Sequence, residues 1–403
     1  MLAAVADGTS RITGILQSAD VRSTAAVLRG LGVSIPLLSP DFVVQGVGLR
    51  GLTRPNQPLD CGNSGTSARL LAGIVAAQRF TSTFVGDASL TVRPMRRIAR
   101  PLTEMGATVT LPDHGGLPMT IVGGPLASID HHSETSSAQV KSAILLAACA
   151  AGVPVSVVEP QQSRDHTERM LFARGMHVHL ERVPHGFRVH LAPVDTLHAI
   201  DTEVPGDPSS AAFFAGLAAL ASHGEISLLG VGTNPTRCGA FAALSRMGVV
   251  LSFTDHVERG GEPVATLHAK PGRLTGTTVG GAEIPTLIDE LPLIACVAAR
   301  AEGETLITGA AELRVKESDR IAVVVANLRA IGADASELPD GLRVMGSDRP
   351  LKGAIATHGD HRIAMAFGVL GAVPGNEIAI DDRDCVAVSY PSFWLDLASV
   401  VSA

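Results

Sequence analysis

Aromatic side chains are scarce in this chain: they make up 3% of its 403 residues, with one tryptophan and one tyrosine. A core of abundant Ala, Gly and Val points to tightly packed helices on sheets. Lysine is scarce too, with four (Lys141, Lys270, Lys316, Lys352) against 28 arginines. Five cysteines (Cys61, Cys149, Cys238, Cys296, Cys385) stand far apart and never in a C-x-x-C pair, which excludes a disulfide framework or a zinc ribbon and fits reduced thiols in a cytoplasm. No apolar run is long enough to span a membrane without polar interruption. The segment Met1–Ala6 is too short and has no basic flank for a signal peptide. A net charge of −7 speaks against nucleic acid as the partner. The length admits two or three domains with ample core. These features predict a soluble cytoplasmic protein whose anionic small-molecule ligands would need locally gathered cations.

What the sequence does have is internal repetition. A helix-like segment ends in a Gly-hydrophobic strand at Leu31-Gly32-Val33-Ser34-Ile35, Met105-Gly106-Ala107-Thr108-Val109, Met247-Gly248-Val249-Val250-Leu251 and Ile331-Gly332-Ala333-Asp334-Ala335. Arg174-Gly175-Met176-His177-Val178 is a looser copy. A Gly turn feeding a short strand recurs at Gly8, Gly224 and Gly303. Each unit reads as strand, helix, strand with further strands, too long for a solenoid repeat. Two pseudo-symmetric α/β domains follow, divided near Glu203-Val204-Pro205-Gly206-Asp207-Pro208, where turn chemistry precedes a helix starting at Pro208. The expected domains are residues 1–203 and 204–403.

The densest chemistry is Arg314-Val315-Lys316-Glu317-Ser318-Asp319-Arg320, five formal charges in seven residues. It leads into a run in which Ile321, Val324, Leu328 and Ile331 recur at helical spacing. Lys316 and Arg320 can share a face, with Glu317 three residues from Arg320. Cations at a helix start suit a phosphate or carboxylate ligand, and an acid held among them can move protons on it. The plain alternative is a solvated face of i,i+4 ion pairs.

Other runs carry weaker signals. Cys61-Gly62-Asn63-Ser64-Gly65-Thr66-Ser67 sets small residues before an apolar helix, either an anion cradle or a capped turn. Arg93, just before Pro94, is a candidate anion clamp, while Arg96 and Arg97 read as solvated. Ser136-Ser137-Ala138-Gln139-Val140-Lys141 opens another apolar helix with more hydroxyl and amide groups than one N-cap uses. In Ser163-Arg164-Asp165-His166-Thr167-Glu168, His166 has no partner histidine at metal-binding spacing. Asp289 and Glu290 sit in an apolar context, as a general base beside cations or as a solvated capping acid. Arg362 in Gly359-Asp360-His361-Arg362 marks one more helix start.

Together these runs resemble the enolpyruvylshikimate-phosphate synthase family (3-phosphoshikimate 1-carboxyvinyltransferase). RVKESDR, GNSGTS and GDHR occur in the family's order, and SAQVK, RDHTE and NPTR resemble its class II branch, whose members often tolerate glyphosate. The glycine linked to inhibitor sensitivity is present as Gly65. The resemblance implies an α/β fold, the enolpyruvyl transferase fold, of two pseudo-symmetric domains built from repeated βαβαββ units, closing on substrates in a cleft. It implies transfer of the enolpyruvyl group of phosphoenolpyruvate to the 5-hydroxyl of shikimate 3-phosphate, with release of phosphate, on the route to chorismate and the aromatic amino acids. By similarity, Asp289 would take the hydroxyl proton and Glu317 would protonate the methylene carbon. Gly65, Arg93, Gln139, Lys316, Arg320 and Arg362 would hold phosphoenolpyruvate. Ser137, Gln139, Ser163, Asp289 and Lys316 would bind shikimate 3-phosphate. The N-terminal domain would bind mainly shikimate 3-phosphate, and the C-terminal domain would supply mainly the phosphoenolpyruvate and acid–base groups. No metal or organic cofactor is implied, and the partners are those two small molecules, met by a monomer.

The family also opens with a strand and a PGDKSISHR-like motif, supplying a lysine, a serine and an arginine to the substrates. This sequence has no such run, so its first βαβαββ unit is expected to be incomplete, with an exposed sheet edge and severely impaired activity. A start placed downstream of the true one, or a deliberately shortened chain, is expected to account for this most simply, against a naturally shortened protein. The rival readings are a non-catalytic anion-binding relative and a UDP-N-acetylglucosamine enolpyruvyl transferase. The latter would need a nucleotide-sugar site and usually a loop cysteine in a setting that neither Cys61 nor Cys238 provides.

Overall fold

The Gly-hydrophobic repeats are helix ends. In the computed structural model, which describes residues 1–401, the helices Ala19–Gly30, Arg96–Glu104, His166–Ala173, Gly239–Arg246 and Arg320–Ala330 each stop two residues before the repeat glycine. Gly32, Gly106, Gly175, Gly248 and Gly332 take φ of 88°, 113°, 92°, 104° and 92°, the left-handed region open to glycine. In every copy the next residue's N–H donates back to a leucine carbonyl five residues earlier, at 2.8–3.1 Å: Val33 to Leu28, Ala107 to Leu102, Met176 to Leu171, Val249 to Leu244, Ala333 to Leu328. All five leucines are buried. The motif therefore satisfies carbonyls left over at the helix end and pins the last turn onto the core.

Four of these glycines turn the chain into a strand: Thr108–Thr110, His177–Val183, Val250–Arg259 and Asp334–Leu338. After Gly32 the expected strand does not form: Arg29 donates to the carbonyls of Ile35 and Pro36 at 2.8 and 2.5 Å, and Pro36 has no N–H to offer a strand ladder. Pairing resumes only at Asp41–Gln45.

The chain divides into two units, Met1–Val204 with Arg259–Glu262, and Pro205–Glu258 with Pro263–Ala403. In the first, Leu59–Asp60 runs parallel to Thr81–Val85, which pairs antiparallel with Met119–Val122, and that strand with Thr108–Thr110. Helices Gly65–Ala76 and Arg96–Glu104 link them, giving βαβαββ. The same order recurs for Asp130–His132, Val155–Glu159, Gly186–Ala192 and His177–Val183. A third sheet places Thr9–Thr13 between Thr202–Glu203, parallel, and Asp41–Gln45, antiparallel, so this strand is flanked on both sides.

The second unit repeats the order with Thr278–Val279, Glu304–Ile307, Gly341–Met345 and Asp334–Leu338. Ile226–Gly232, Glu262–Lys270 and Val250–Arg259 form a sheet whose first-strand position is marked by an isolated parallel bridge from Gly206 to Val231. Lys352–Ile355 and Glu377–Ile380 pair in parallel across the helix His361–Gly371. Several of the scarce aromatics gather here, with Phe213, Phe214, Tyr390 and Trp394 arranged around Phe393 at ring separations of 4.9–6.2 Å.

Glycine also sets how closely helices pack. A Cβ on Gly73 would lie 2.2 Å from the Ala143 carbonyl oxygen, so Gly65–Ala76 and Ala138–Ala151 meet backbone to backbone. Their N-termini carry Gly65 and Gln139. At Gly332 a Cβ would meet nothing within 4 Å, so only its backbone angle matters there. Gly332→Ala is expected to cost about 1–2 kcal/mol from left-handed strain. Gly73→Ala is expected to cost about 2–3 kcal/mol, because overpacking against a carbonyl outweighs the helix-propensity gain. Denaturant unfolding of both variants reads the order, and Gly73→Ala at wild-type stability would contradict the close helix contact.

Candidate active site

In the second unit the charged run becomes a short 3-10 turn, Ala311–Val315, followed by the helix Arg320–Ala330. Asp319 caps that helix by accepting from the Ala322 N–H at 3.1 Å, which fixes Arg320 in its first turn. Arg320 does not face solvent. It is 1% exposed and its three nitrogens are each engaged by a carboxylate. Nε donates to Asp360 Oδ2 at 2.8 Å, Nη2 to Glu317 Oε2 at 2.6 Å and to Asp360 Oδ1 at 3.3 Å, and Nη1 to Asp289 Oδ1 at 3.2 Å. Lys316 Nζ approaches the same Asp289 oxygen at 3.2 Å.

Asp289 lies on the short turn Ile288–Glu290, just before the buried helix Leu291–Ala298. Its neighbour Glu290, 1% exposed, pairs with Arg362 Nη1 at 3.2 Å. Asp360, fully buried, caps the helix His361–Gly371 through the Arg362 N–H at 2.9 Å and also accepts from the Ser318 hydroxyl at 3.0 Å. Close by, Arg237 of the NPTR run bonds the helix-capping Asp207 at 2.7 Å and Ser209 at 2.6 Å.

These contacts set the protonation states. Burial opposes ionisation of Glu317, but the Arg320 guanidinium outweighs it and holds the carboxyl below the usual glutamate range. Asp360 is likewise held low by Arg320 against its own burial. Arg320 is desolvated, yet Asp360, Glu317 and Asp289 raise its pKa further. Burial, followed by the charges of Arg362 and Arg320, pushes His361 down to about 4, so it is neutral at neutral pH. The cluster joins cations Lys316, Arg320 and Arg362 to carboxylates Asp289, Glu290, Glu317 and Asp360. It can bind an anion, accept a proton and return one.

The first unit carries a second constellation of different character. Ser64 caps the Gly65–Ala76 helix by accepting from the Ser67 N–H at 3.2 Å. One turn in, Arg69 is nearly buried and donates to the Gln139 side-chain oxygen at 2.6 Å, while the Gln139 amide donates to the Thr66 hydroxyl at 3.1 Å. A Cβ on Gly65 would come within 3.1 Å of Arg69 Nη1, so glycine keeps that surface low. Arg93 donates to the Asn63 side-chain oxygen at 2.7 Å, and Asn63 in turn donates to Asp87 at 2.6 Å. Ser137 and Ser163 meet at one carboxylate: Glu159 accepts from the Ser137 N–H at 3.0 Å and from the Ser163 hydroxyl at 2.7 and 2.8 Å.

A family model described as EPSP synthase (3-phosphoshikimate 1-carboxyvinyltransferase) matches residues 1–397. The chain belongs to the EPSP synthase family. A relative from Sulfurihydrogenibium sp. (strain YO3AOP1), named 3-phosphoshikimate 1-carboxyvinyltransferase, is 45% identical over 99% of this chain and 93% of its own length. A relative of the same name from Xanthomonas axonopodis pv. citri (strain 306) is 47% identical over 98% of this chain and 89% of its own. The solved EPSP synthase from Acinetobacter baumannii superposes with a TM-score of 0.88 at 42% identity, covering 100% of this chain and 92% of that one. The enolpyruvyl transferase NikO from Streptomyces tendae, at 18% identity and a TM-score of 0.75, shares the fold.

The residues singled out in this EPSP synthase family member fall into two groups. Asp289, Lys316, Glu317 and Arg320 meet in one cluster, with Arg362 tied in through Glu290. Gly65 and Gln139 adjoin through Arg69, Arg93 is held by the Asn63 loop, and Ser137 and Ser163 share Glu159. His166 Nδ1 lies 2.7 Å from Glu262 Oε1, and among the described residues no group of three His, Cys, Asp or Glu side chains gathers to hold a metal. Of the two flanking arginines read as solvated, Arg96 is exposed and Arg97 half-buried. Sequence reasoning passed over Asp360, Arg69 and Glu159. An acid before an apolar helix is a capping signal that would have marked Asp360. Arg69, four residues after Gly65, follows from helical spacing. Glu159, at a strand end, carried no signal.

His361 gives the site a pH signature. Unfolding returns it from about 4 to its ordinary 6.5, so the unfolded chain binds the extra proton between those values. Its contribution is complete above pH 6.5 and is lost as pH falls toward 4, on the order of 3 kcal/mol in all. Denaturant unfolding between about pH 7 and 4.5 should show wild-type stability falling and a flatter profile for His361→Asn. Parallel profiles would contradict a buried neutral imidazole.

Proposed function

We propose that this chain transfers the enolpyruvyl group of phosphoenolpyruvate to the 5-hydroxyl of shikimate 3-phosphate, releasing phosphate. The observation that carries the reading is the Arg320 hub, which holds Asp289 at 3.2 Å and Glu317 at 2.6 Å on a single buried cation. Two carboxylates fixed on one guanidinium provide a base and an acid a short distance apart. Asp289 takes the proton of the 5-hydroxyl as its oxygen attacks the second carbon of phosphoenolpyruvate. Glu317 delivers a proton to the methylene carbon, which becomes a methyl group. The tetrahedral adduct then loses a methyl proton and phosphate, and the double bond re-forms.

Lys316, Arg320 and Arg362 supply the positive charge that a carboxylate and a phosphate on one small molecule demand, and Gly65, Arg93 and Gln139 complete its contacts. Ser137, Gln139 and Ser163 receive shikimate 3-phosphate, with Asp289 and Lys316 at the reacting hydroxyl. On this reading residues 1–203 bind mainly shikimate 3-phosphate, and residues 204–403 supply mainly the phosphoenolpyruvate and proton-transfer groups. The same reading makes the protein a cytoplasmic monomer acting in aromatic amino-acid biosynthesis without metal or organic cofactor. Among the described residues no helix is long and apolar enough to cross a membrane.

Phosphate release from phosphoenolpyruvate should require shikimate 3-phosphate and give no turnover with UDP-N-acetylglucosamine. Asp289→Asn and Glu317→Gln should each lower kcat by about a hundredfold or more, as expected for loss of a general base or acid. Either variant turning over at the wild-type rate would remove that residue from the proton transfers.

A further inference from the structure

Beneath Ser137 and Ser163 lies a buried charge cluster that the chemistry above leaves unused. Lys141 is 1% exposed and faces two carboxylates, Glu159 at 3.0 Å and Glu168 at 2.7 Å. These come from three elements: the helix Ala138–Ala151, the end of the strand Val155–Glu159 and the helix His166–Ala173. One cation with two acids is one carboxylate more than charge balance needs, and burying an ion without function is costly.

The two acids make different contacts. Glu168 pairs with Lys141 at 2.7 Å. Glu159 reaches further: one oxygen takes the Ser137 N–H at 3.0 Å, both oxygens take the Ser163 hydroxyl, and the Ser163 N–H stands 3.4 Å away. Lys141 adds a bond to the Ser163 carbonyl at 3.4 Å. Ser137 starts its helix with no side-chain cap of its own, so this carboxylate orders the backbone there.

We propose that Glu159 is a positioning residue that fixes Ser137 and Ser163 relative to one another for shikimate 3-phosphate, with Lys141 anchoring its charge. The inference rests on the proposed role of those two serines. Burial pushes the Glu168 carboxyl upward, which fits its being the more dispensable charge. Glu159→Gln and Glu168→Gln each leave Lys141 with one carboxylate partner, but only Glu159→Gln also alters the acceptor of Ser137 and Ser163. A purely structural role for Glu159 would lower the thermal midpoint and leave KM for shikimate 3-phosphate unchanged.

Steady-state kinetics of wild type, Glu159→Gln, Glu168→Gln and Ser163→Ala, each with its thermal midpoint, test this. Glu159→Gln should raise KM for shikimate 3-phosphate by about tenfold, the order of one charge-assisted hydrogen bond. It should leave KM for phosphoenolpyruvate nearly unchanged, and Glu168→Gln should leave both near wild type. Equal effects of the two variants would overturn the proposal, as would an unchanged KM in Glu159→Gln when Ser163→Ala raises it. If neither Ser163→Ala nor Glu159→Gln moves that constant, the serine assignment fails and the inference falls with it.

Discussion

The second unit's site depends on one buried guanidinium. Arg320 is 1% exposed and carries Asp360, Glu317 and Asp289 on its nitrogens. Removing one partner of a buried charge pair typically costs about 3–5 kcal/mol, because the other is left unpaired. The partners lie on three stretches of chain: the turn before Leu291–Ala298, the run before Arg320–Ala330 and the cap of His361–Gly371. One side chain thus gathers the starts of three helices, and the hydrogen bonds that stabilise this arrangement also aim the acids. Stability and chemistry cannot be separated at this point.

Charge accounting explains how such a hub can meet a multiply charged ligand. Its three cations are already matched by four carboxylates. An incoming phosphate and carboxylate would compete with Glu317 and Asp289 for Arg320 and Lys316. Added negative charge raises carboxyl pKa values. Glu317, held low by Arg320 when the hub is intact, would then take up the proton that it is proposed to deliver. The first unit is built otherwise. There Arg69, Gln139, Thr66 and Asn63 form neutral or singly charged contacts around Gly65 and Arg93, suited to recognition more than to proton transfer.

The repeat architecture was legible because its signal is backbone geometry written in residue type. A glycine at the left-handed position with a buried leucine five residues before the next amide recurs in all five copies. The strand expected after Gly32 failed because Arg29 occupies carbonyls and Pro36 lacks a ladder donor, neither of which a hydrophobic pattern registers. In the site, helical spacing brought Lys316, Glu317 and Arg320 into view, an apolar context marked Asp289 and a helix start marked Arg362, and the resemblance added their expected roles. The long-range partners were out of reach: Asp360 stands 40 residues from Arg320, and Glu159 lies 22 residues from Ser137. Pairings of that kind are set by sheet register and helix packing, for which a single sequence holds no local mark.

Arg320 governs the ionisation of Glu317. The direct measurement is the side-chain carboxyl titration of Glu317, followed by carbon-detected NMR on glutamate-labelled protein and assigned with Glu317→Gln. It would be recorded with and without saturating phosphoenolpyruvate. The expected midpoint lies below the ordinary 4.5 for the protein alone and shifts clearly upward in the complex. A midpoint at or above 4.5 without phosphoenolpyruvate, or no shift on its binding, would contradict it.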